Sequence, residues 1–432
     1  MEKLIKAIKA RSIESWEIFL IEKEENTLAI DSGDIKGIEH HIRRNIGLRI
    51  FKDSKIGFSS TSGENYDELV ENAIQTSKFG REAIFEFPGE TDYPKMDIYH
   101  PDKWPTAMRV NQTNEIIERL SGLYPGLKIH GKLSCTETNI RLINSSGFDG
   151  AYRKSVYYTE ILLMGTVDTG NLFVFSSKGD SKKPVPPQGI LDELLEELKG
   201  SEKKAKIQSG RYKVIFSPLT LTETLFNSLI TGIYAPYVLT KSTPLHDKLG
   251  EQIFSPKLTI RDLVSVPGGE RPFDDEGLVT KDRFIVKEGV LSSFLADLYY
   301  AKKLGIEPSR SSRRGMGLTP QISVNNIVVD PGEKTLDEII RKTDEGIIVY
   351  MPMGAAMSNL MQGNISFNVA LGYHIKNGEI TGRILDTVIS GNIYDSFKKI
   401  LAVSLDRQSL FFDSTGYVLP YIMVDGLNVV TK

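Results

Sequence analysis

WEIFLIEKEENTLAIDSGDIKGIEHHIRRNIGLRIFKDSKIGFSS, residues 16–60, decides the fold class. Five short runs in it alternate apolar with polar residues: Trp16–Glu22, Thr27–Asp31, Gly37–Arg44, Gly47–Phe51 and Ile56–Ser60. A period of two marks a strand with one buried face. Turn formers separate the runs, as at Asp31-Ser32-Gly33-Asp34 and Lys52-Asp53-Ser54, where residues tolerant of left-handed backbone let the chain reverse. The stretch reads as an antiparallel meander. Helices flank it: residues 3–10 before, and residues 64–79 (ENYDELVENAIQTSKF) after, with apolar spacing near 3.6 and Gly80 as the stop.

Beyond the meander, residues 81–105 are rich in Pro, Asp and Tyr and read as a surface connection. A helix is expected over Thr106–Leu123, then strands over Leu127–Glu137, Asn139–Asn144, Ser155–Val167 and Leu172–Ser177, then a short helix over Leu191–Leu198. Residues 199–211 (KGSEKKAKIQSGR) carry no apolar period and mark the main boundary. After it come a strand (Tyr212–Phe216) and a helix (Leu219–Ile233). The remainder is glycine-punctuated β, with strands expected at Arg283–Lys287, Val290–Leu295, Gln321–Val329, Gly346–Met351, Ile365–Tyr373 and Tyr421–Val424. Helices are expected at Leu298–Leu304, Leu336–Lys342 and Ser396–Val403. The class is α+β: a mixed N-terminal α/β region, then a β-rich, mainly antiparallel C-terminal domain. Three segments follow: 1–105, a strand meander with helices; 106–205, a second α+β segment packed with it; and 206–432, the β-rich domain.

The chain has 432 residues, 40% hydrophobic and 25% charged, the balance of an ordinary globular protein. Its net charge of -3 argues against a nucleic-acid binder, which draws affinity from neutralising phosphates. The run Lys203, Lys204, Lys206 belongs to the polar linker. One cysteine, Cys135, allows no intrachain disulfide and fits a reducing compartment. The N-terminal MEKLIKAIKAR has no signal-peptide core, and no window approaches the ~20 apolar residues of a membrane span. A cytoplasmic location without membrane contact is expected.

Motif searches yield no self-contained active site. Of His40, His41, His100, His130, His246 and His374, no two stand at the spacing of an H-E-x-x-H zinc motif. His40 and His41, adjacent in a strand, should point one outward and one inward. Cys135 sits in a strand-like run and reads as a buried inert thiol. Asp274-Asp275-Glu276 could divide acid and base roles, but between Pro272 and Gly277 it reads better as a charged turn. Pro267-Gly268-Gly269-Glu270 follows no strand-to-helix phosphate pattern and reads as a flexible loop. Glu288-Gly289 and Asn377-Gly378 read as hairpin turns.

Longer motifs carry a resemblance. RPFDDEGLVTKDRFIVKEGVLSSFLADLYYAKKLG (Arg271–Gly305), LGYHIKNGEITGRILDTVISGN (Leu371–Asn392) and PYIMVDGLNVV (Pro420–Val430) resemble, in order and spacing, the C-terminal signatures of the TldD/PmbA family. The GENYDELVENAI helix and the meander before it are similar to that family's N-terminal domain. The resemblance implies a peptidase built from two related subunits. TldD-type subunits bind zinc through H-E-x-x-x-H on a helix early in the C-terminal domain; PmbA-type subunits, also called TldE, lack it. The matching helix here reads TLFNSLITG (Thr224–Gly232), with Phe226, Asn227 and Thr231 where His, Glu and His would stand. The family's C-terminal-domain Cys ligand has no counterpart.

The resemblance therefore implies a PmbA/TldE-type subunit with no catalytic residue and no metal of its own. Zinc is expected in a TldD-type partner, joined as a heterodimer, with a homodimer as an alternative or addition. The implied substrate is an extended peptide: an unfolded segment, an antitoxin, or the precursor of a microcin-type antibiotic. Two alternatives stand beside it. One is an independently active hydrolase using Asp274, Asp275 or Glu276 without zinc. The other is a regulatory binding protein associated with DNA gyrase or nucleic acid, against which the near-neutral charge argues.

Overall fold

The computed structural model describes residues 1–101, 103–316, 319–355 and 359–431. Strand outweighs helix, at 44% against 22%, and most pairings are antiparallel, so the α+β class holds. The N-terminal half begins with α1 (Glu2–Lys9), β1 (Ser15–Asp31), β2 (Asp34–Lys52), β3 (Lys55–Thr61), α2 (Tyr66–Ser77) and α3 (Thr106–Leu123). It continues with β4 (Leu127–Asn144), β5 (Asp149–Val167), β6 (Gly170–Asp180) and α4 (Pro187–Glu197). Its six strands form one sheet in the order β3-β2-β1-β4-β5-β6.

The short runs expected at the start merge into long strands. β1 pairs with β2 from Ser15↔Phe51 to Asp31↔Asp34. The polar stretches between the runs do not turn, because cross-strand neighbours answer their charges: Arg44 Nε donates to Glu22 at 3.1 Å. The true turns are Ser32-Gly33 (φ 57° and 85°) and Asp53-Ser54 (φ 52° and 58°), both with the paired positive φ of a tight hairpin.

The second sheet collects the C-terminal half. Its strands are β7 (Gly210–Phe216), β8 (Ile260–Asp262), β9 (Arg283–Lys287), β10 (Val290–Leu291), β11 (Ile327–Val329) and β12 (Glu345–Met353). They continue as β13 (Asn364–Lys376), β14 (Glu379–Arg383), β15 (Thr387–Asn392), β16 (Ile400–Phe412) and β17 (Thr415–Thr431). Five of them close on themselves. β17 pairs β15, β15 pairs β13, β13 pairs β12, β12 pairs β7 in parallel, and β7 returns to β17. This barrel encloses Val214, Phe216, Ile347, Val349, Phe367 and Val424. The intervening outward residues, among them Ile215, Ile348, Tyr373 and Met423, share a core with Leu133, Leu163, Val174 and Leu191 of the N-terminal half. Alternation along each strand thus serves two cores, one inside the barrel and one between the halves.

Two expectations are corrected here. Ser396–Val403 is not a helix: a short helix ends at Ser396, a 3₁₀ turn covers Phe397–Lys399, and β16 begins at Ile400. β-branched Ile400 and Val403 pair with Val424 and Ile422, and sheet packing overrides the local pattern. His40 and His41 are both exposed, at 49% and 46%, because neither face of β2 is covered there.

Candidate substrate-binding cleft

The helical stretch after β7 is the position that the family resemblance assigns to metal binding. It has three parts: α5 (Pro218–Leu221), a π-helical turn (Thr222–Phe226) and α6 (Asn227–Gly232). Ser217 caps it, its Oγ accepting from Thr220 N at 3.2 Å. Thr222 and Thr224 hydroxyls donate back to the carbonyls of Pro218 (3.0 Å) and Thr220 (2.6 Å), a bonding pattern that competes with the regular helix ladder. Phe226 then faces the barrel core, 1% exposed, with its ring 6.3 Å from that of Tyr417. Asn227 spends its amide on the Glu223 carbonyl at 3.3 Å, and Thr231 is half-buried. These residues do not fit zinc: a buried phenyl ring offers no lone pair, and the amide and the hydroxyl are poor ligands. One carboxyl stands on the same stretch. Glu223 is pushed up by burial, and its carboxyl makes no hydrogen bond or ion pair among the described residues.

Asp274, Asp275 and Glu276 do form the expected turn, and it is buried. They are 0%, 5% and 1% exposed. Glu276 accepts from Arg49 Nη1 (2.9 Å), Ser312 Oγ (3.0 Å) and Leu298 N (2.9 Å). Asp274 accepts from the backbone N–H groups of Glu276, Leu278 and Ser312, and Asp275 from that of Arg314 at 2.6 Å. Across the interface, Glu17 of β1 accepts from Arg49 (3.1 Å) and Arg314. Burial alone would raise the Glu17 carboxyl, but Arg314 and Arg49 hold it below the ordinary value. Asp274 is pushed up to about 7 by burial and by Glu276. The cluster pins the two halves together, and its carboxylate oxygens are hydrogen-bonded except Asp275 Oδ1, which lies 4.0 Å from Arg271 Nη1.

The glycine pair nearby is corrected as well. Gly268 and Gly269 are buried, not part of a flexible loop. A Cβ on Gly269 would stand 1.7 Å from Asn326 Oδ1, and Gly268 has φ +80°. Cys135 is half-buried rather than buried, its Sγ 3.9 Å from the Trp104 carbonyl.

Beside the pinning cluster the halves leave a cleft of about 590 Å³. Phe58 of β3 and Arg81 of the connection after α2 line one side. Tyr234, Tyr237, Tyr299 and Tyr300 line the other, the last two in the first turn of α8 (Leu298–Leu304). Arg81 Nη1 donates to Tyr300 Oη at 2.9 Å, and its guanidinium lies 5.3 Å and 5.5 Å from the Tyr299 and Tyr300 ring centroids. It makes no ion pair within 4.0 Å among the described residues, though its charge acts on Asp297 in the same cleft. Asp297 caps α8, accepting from Tyr300 N at 2.8 Å, and its carboxyl is pushed up to about 6 by burial and by Glu276. The walls can stack on apolar side chains, and Arg81 can meet a carboxylate. Sequence reading singled out none of these residues; Asp297-Leu298-Tyr299-Tyr300, a capping residue followed by paired aromatics, was the available signal.

Residues 209–431 match the PmbA/TldA metallopeptidase C-terminal domain, and residues 16–77 match domain 1 of the same group. The chain belongs to the PmbA/TldD family. A metalloprotease PmbA homolog of Buchnera aphidicola is 23% identical, over 92% of this chain and 94% of that one. A zinc metalloprotease TldD homolog of Saccharolobus solfataricus is 24% identical, over 92% of each. Among solved structures, TldE of Thermococcus kodakarensis superposes with a TM-score of 0.89 at 20% identity, over 100% of this chain and 99% of that one. Zinc is thus a property named for a relative.

Proposed function

We propose that this chain is the PmbA/TldE-type subunit of a two-component zinc metallopeptidase. It shapes a peptide-binding enclosure and leaves the metal chemistry to a TldD-type partner in a heterodimer. The observation that carries this reading is Phe226, a phenyl ring packed into the barrel core on the helix where the family keeps a ligand. Likeness to a TldE fold and the zinc-metalloprotease name of a relative support it. The substrate is an extended, unfolded or precursor peptide, since backbone hydrogen bonding and aromatic stacking are largely indifferent to sequence. The subunit works in the cytoplasm, in keeping with its lone cysteine. An independent hydrolase at Asp274, Asp275 or Glu276 draws little support, because those oxygens are occupied by Arg49, Ser312 and backbone N–H groups.

The test is metal content and peptide cleavage of the purified chain, alone and mixed with a TldD-type protein. Negligible zinc and no cleavage alone, with cleavage on mixing, is the expected result. Stoichiometric zinc, or cleavage by the chain alone, would overturn the reading.

A further inference from the structure

A second cavity, of about 270 Å³, lies within the N-terminal half, between the first turn of α3 and one face of the sheet. Strand alternation builds its floor. Asn26 of β1 sits opposite Cys135 of β4, and two residues along, Glu24 sits opposite Glu137. All four share one face and line the cavity. The two rows stand about 7 Å apart, the rise of two strand residues.

The row beneath α3 calls for an anion. Arg109, in the first turn of α3, is 2% exposed. It donates to the carbonyls of Asn26 (2.9 Å) and Leu133 (3.1 Å), to Asn26 Oδ1 and to Thr106 Oγ1 (3.1 Å). All four acceptors are neutral, and the buried Nε has no partner among the described residues. Burial lowers the Arg109 pKa, with only Cys135 acting against it. A guanidinium held out of water is costly until a negative group answers it. The helix end adds to this demand. α3 is 18 residues long, with no side-chain cap at Pro105 and no acidic residue in its first turn, so its unsatisfied N–H groups also favour an anion. The other row calls for a cation. Glu24 and Glu137 face each other across the ladder, where like charges repel. Glu137 is answered by Tyr99 Oη at 2.6 Å and by Arg153 at 3.7 Å. Glu24 meets only His40 Nε2, at 2.8 Å, among the described residues.

We infer that this cavity binds a small zwitterion with its two charged ends about 7 Å apart, the carboxylate at Arg109 and the first turn of α3, the ammonium at Glu24. The inference does not rest on the peptidase reading, since no residue of the aromatic cleft takes part. A ligand of this kind answers both rows at once. A plain anion would leave the two glutamates repelling, and a plain cation would leave Arg109 unanswered.

The probe is 5-aminopentanoate, and the controls are pentanoate and pentylamine, each lacking one charged end. Calorimetry on the full chain should give the probe a dissociation constant on the order of 0.1–1 mM, with either control at least about tenfold weaker. Glu24→Gln, at a half-exposed side chain, should weaken the probe about tenfold and leave both pentanoate binding and the melting temperature unchanged. Arg109→Gln also cuts the ties that hold α3 to the sheet, so the anionic end is located by a second readout. Trp104 lines the cavity, and Trp16→Phe leaves it the only tryptophan of the chain. Its fluorescence should change with the midpoint seen by calorimetry. No binding of the probe overturns the proposal. So does a control that binds as tightly as the probe, which would mark a simple anion or cation site. Binding indifferent to Glu24→Gln, or silent at Trp104, places the probe elsewhere and overturns it too.

Discussion

Arg49 in β2 and Glu276 in the turn before β9 are 227 positions apart in the chain and 2.9 Å apart in the fold. The same guanidinium bonds Glu17, and its face lies 5.2 Å and 5.1 Å from the ring centroids of Phe85 and Phe87. Burial would lower the Arg49 pKa, but Glu17 and Glu276 hold it above the ordinary value. Desolvating these charges costs much of what their attraction returns, so the cluster fixes the relative placement of the halves more than it adds stability.

Removing the arginine is a different matter, because it takes from buried Glu276 its one guanidinium partner and from buried Glu17 one of two. Arg49→Met should cost about 3–5 kcal/mol. Arg49→Lys should recover only part of this, since an ammonium cannot bond both glutamates and stack on two rings. Urea denaturation followed by circular dichroism checks it. A loss below about 1 kcal/mol, the scale of an exposed pair, would mean the cluster is open to water.

The carboxyl of Glu197 gives a pH dependence of definite sign. It is enclosed near the α4–β16 contact with one hydrogen bond, from Gln408 at 3.3 Å, and burial pushes it up to about 8. Between its ordinary value of 4.5 and that value, the folded protein holds a proton that the unfolded chain releases. Its contribution to stability is therefore present below pH 4.5 and lost as pH rises through about 8. Glu197→Gln should flatten the melting temperature against pH and gain about 2 kcal/mol at the alkaline end. An unchanged pH profile would show the carboxyl to be ionised in the fold.

Local signals were readable where local chemistry decides the outcome. Thr106–Leu123 is a helix to the residue. Glu288-Gly289 and Asn377-Gly378 turn with φ of 49° and 82°, and 52° and 80°, because two-residue hairpins demand positive φ. The barrel was not readable, because its closure depends on β7 meeting β12 in parallel, Val214 beside Ile347, and no local pattern encodes so distant a pairing. The cleft was not readable either. Phe58, Arg81, Tyr234 and Tyr300 come from separate segments and become neighbours only when the halves dock. The same docking buries the acidic turn as a pin between the halves. The inward aim of Phe226, at the end of the π-helical turn, was not readable either, because it follows from the packing of the closed barrel.

That inward aim separates a core residue from a vacant ligand position. Phe226→Ala should cost about 3–5 kcal/mol, the range for emptying a packed aromatic site. Grafting the motif by Phe226→His, Asn227→Glu and Thr231→His should destabilise the barrel by burying an imidazole among Leu225, Leu229 and Val424. Zinc content by atomic absorption should stay far below one per chain. Stoichiometric, stabilising zinc in the graft would mean that position 226 can swing into the cleft.

The aromatic cleft predicts a binding defect separable from folding. Arg81 is exposed and held by Tyr300, with no ion pair among the described residues. Arg81→Ala should therefore change the melting temperature little, as exposed substitutions do. In a mixture with a TldD-type subunit, it should raise KM for peptides about tenfold with kcat held. The reason is that a ground-state contact is lost while, on the proposed reading, the chemistry belongs to the partner. Tyr300→Ala should act in the same direction, by removing both a stacking face and the hydroxyl that orients Arg81. Tyr300→Phe should lose only the orientation and fall between. If kcat dropped instead, with KM unchanged, the cleft would be acting on the transition state and the subunit would carry part of the catalysis itself.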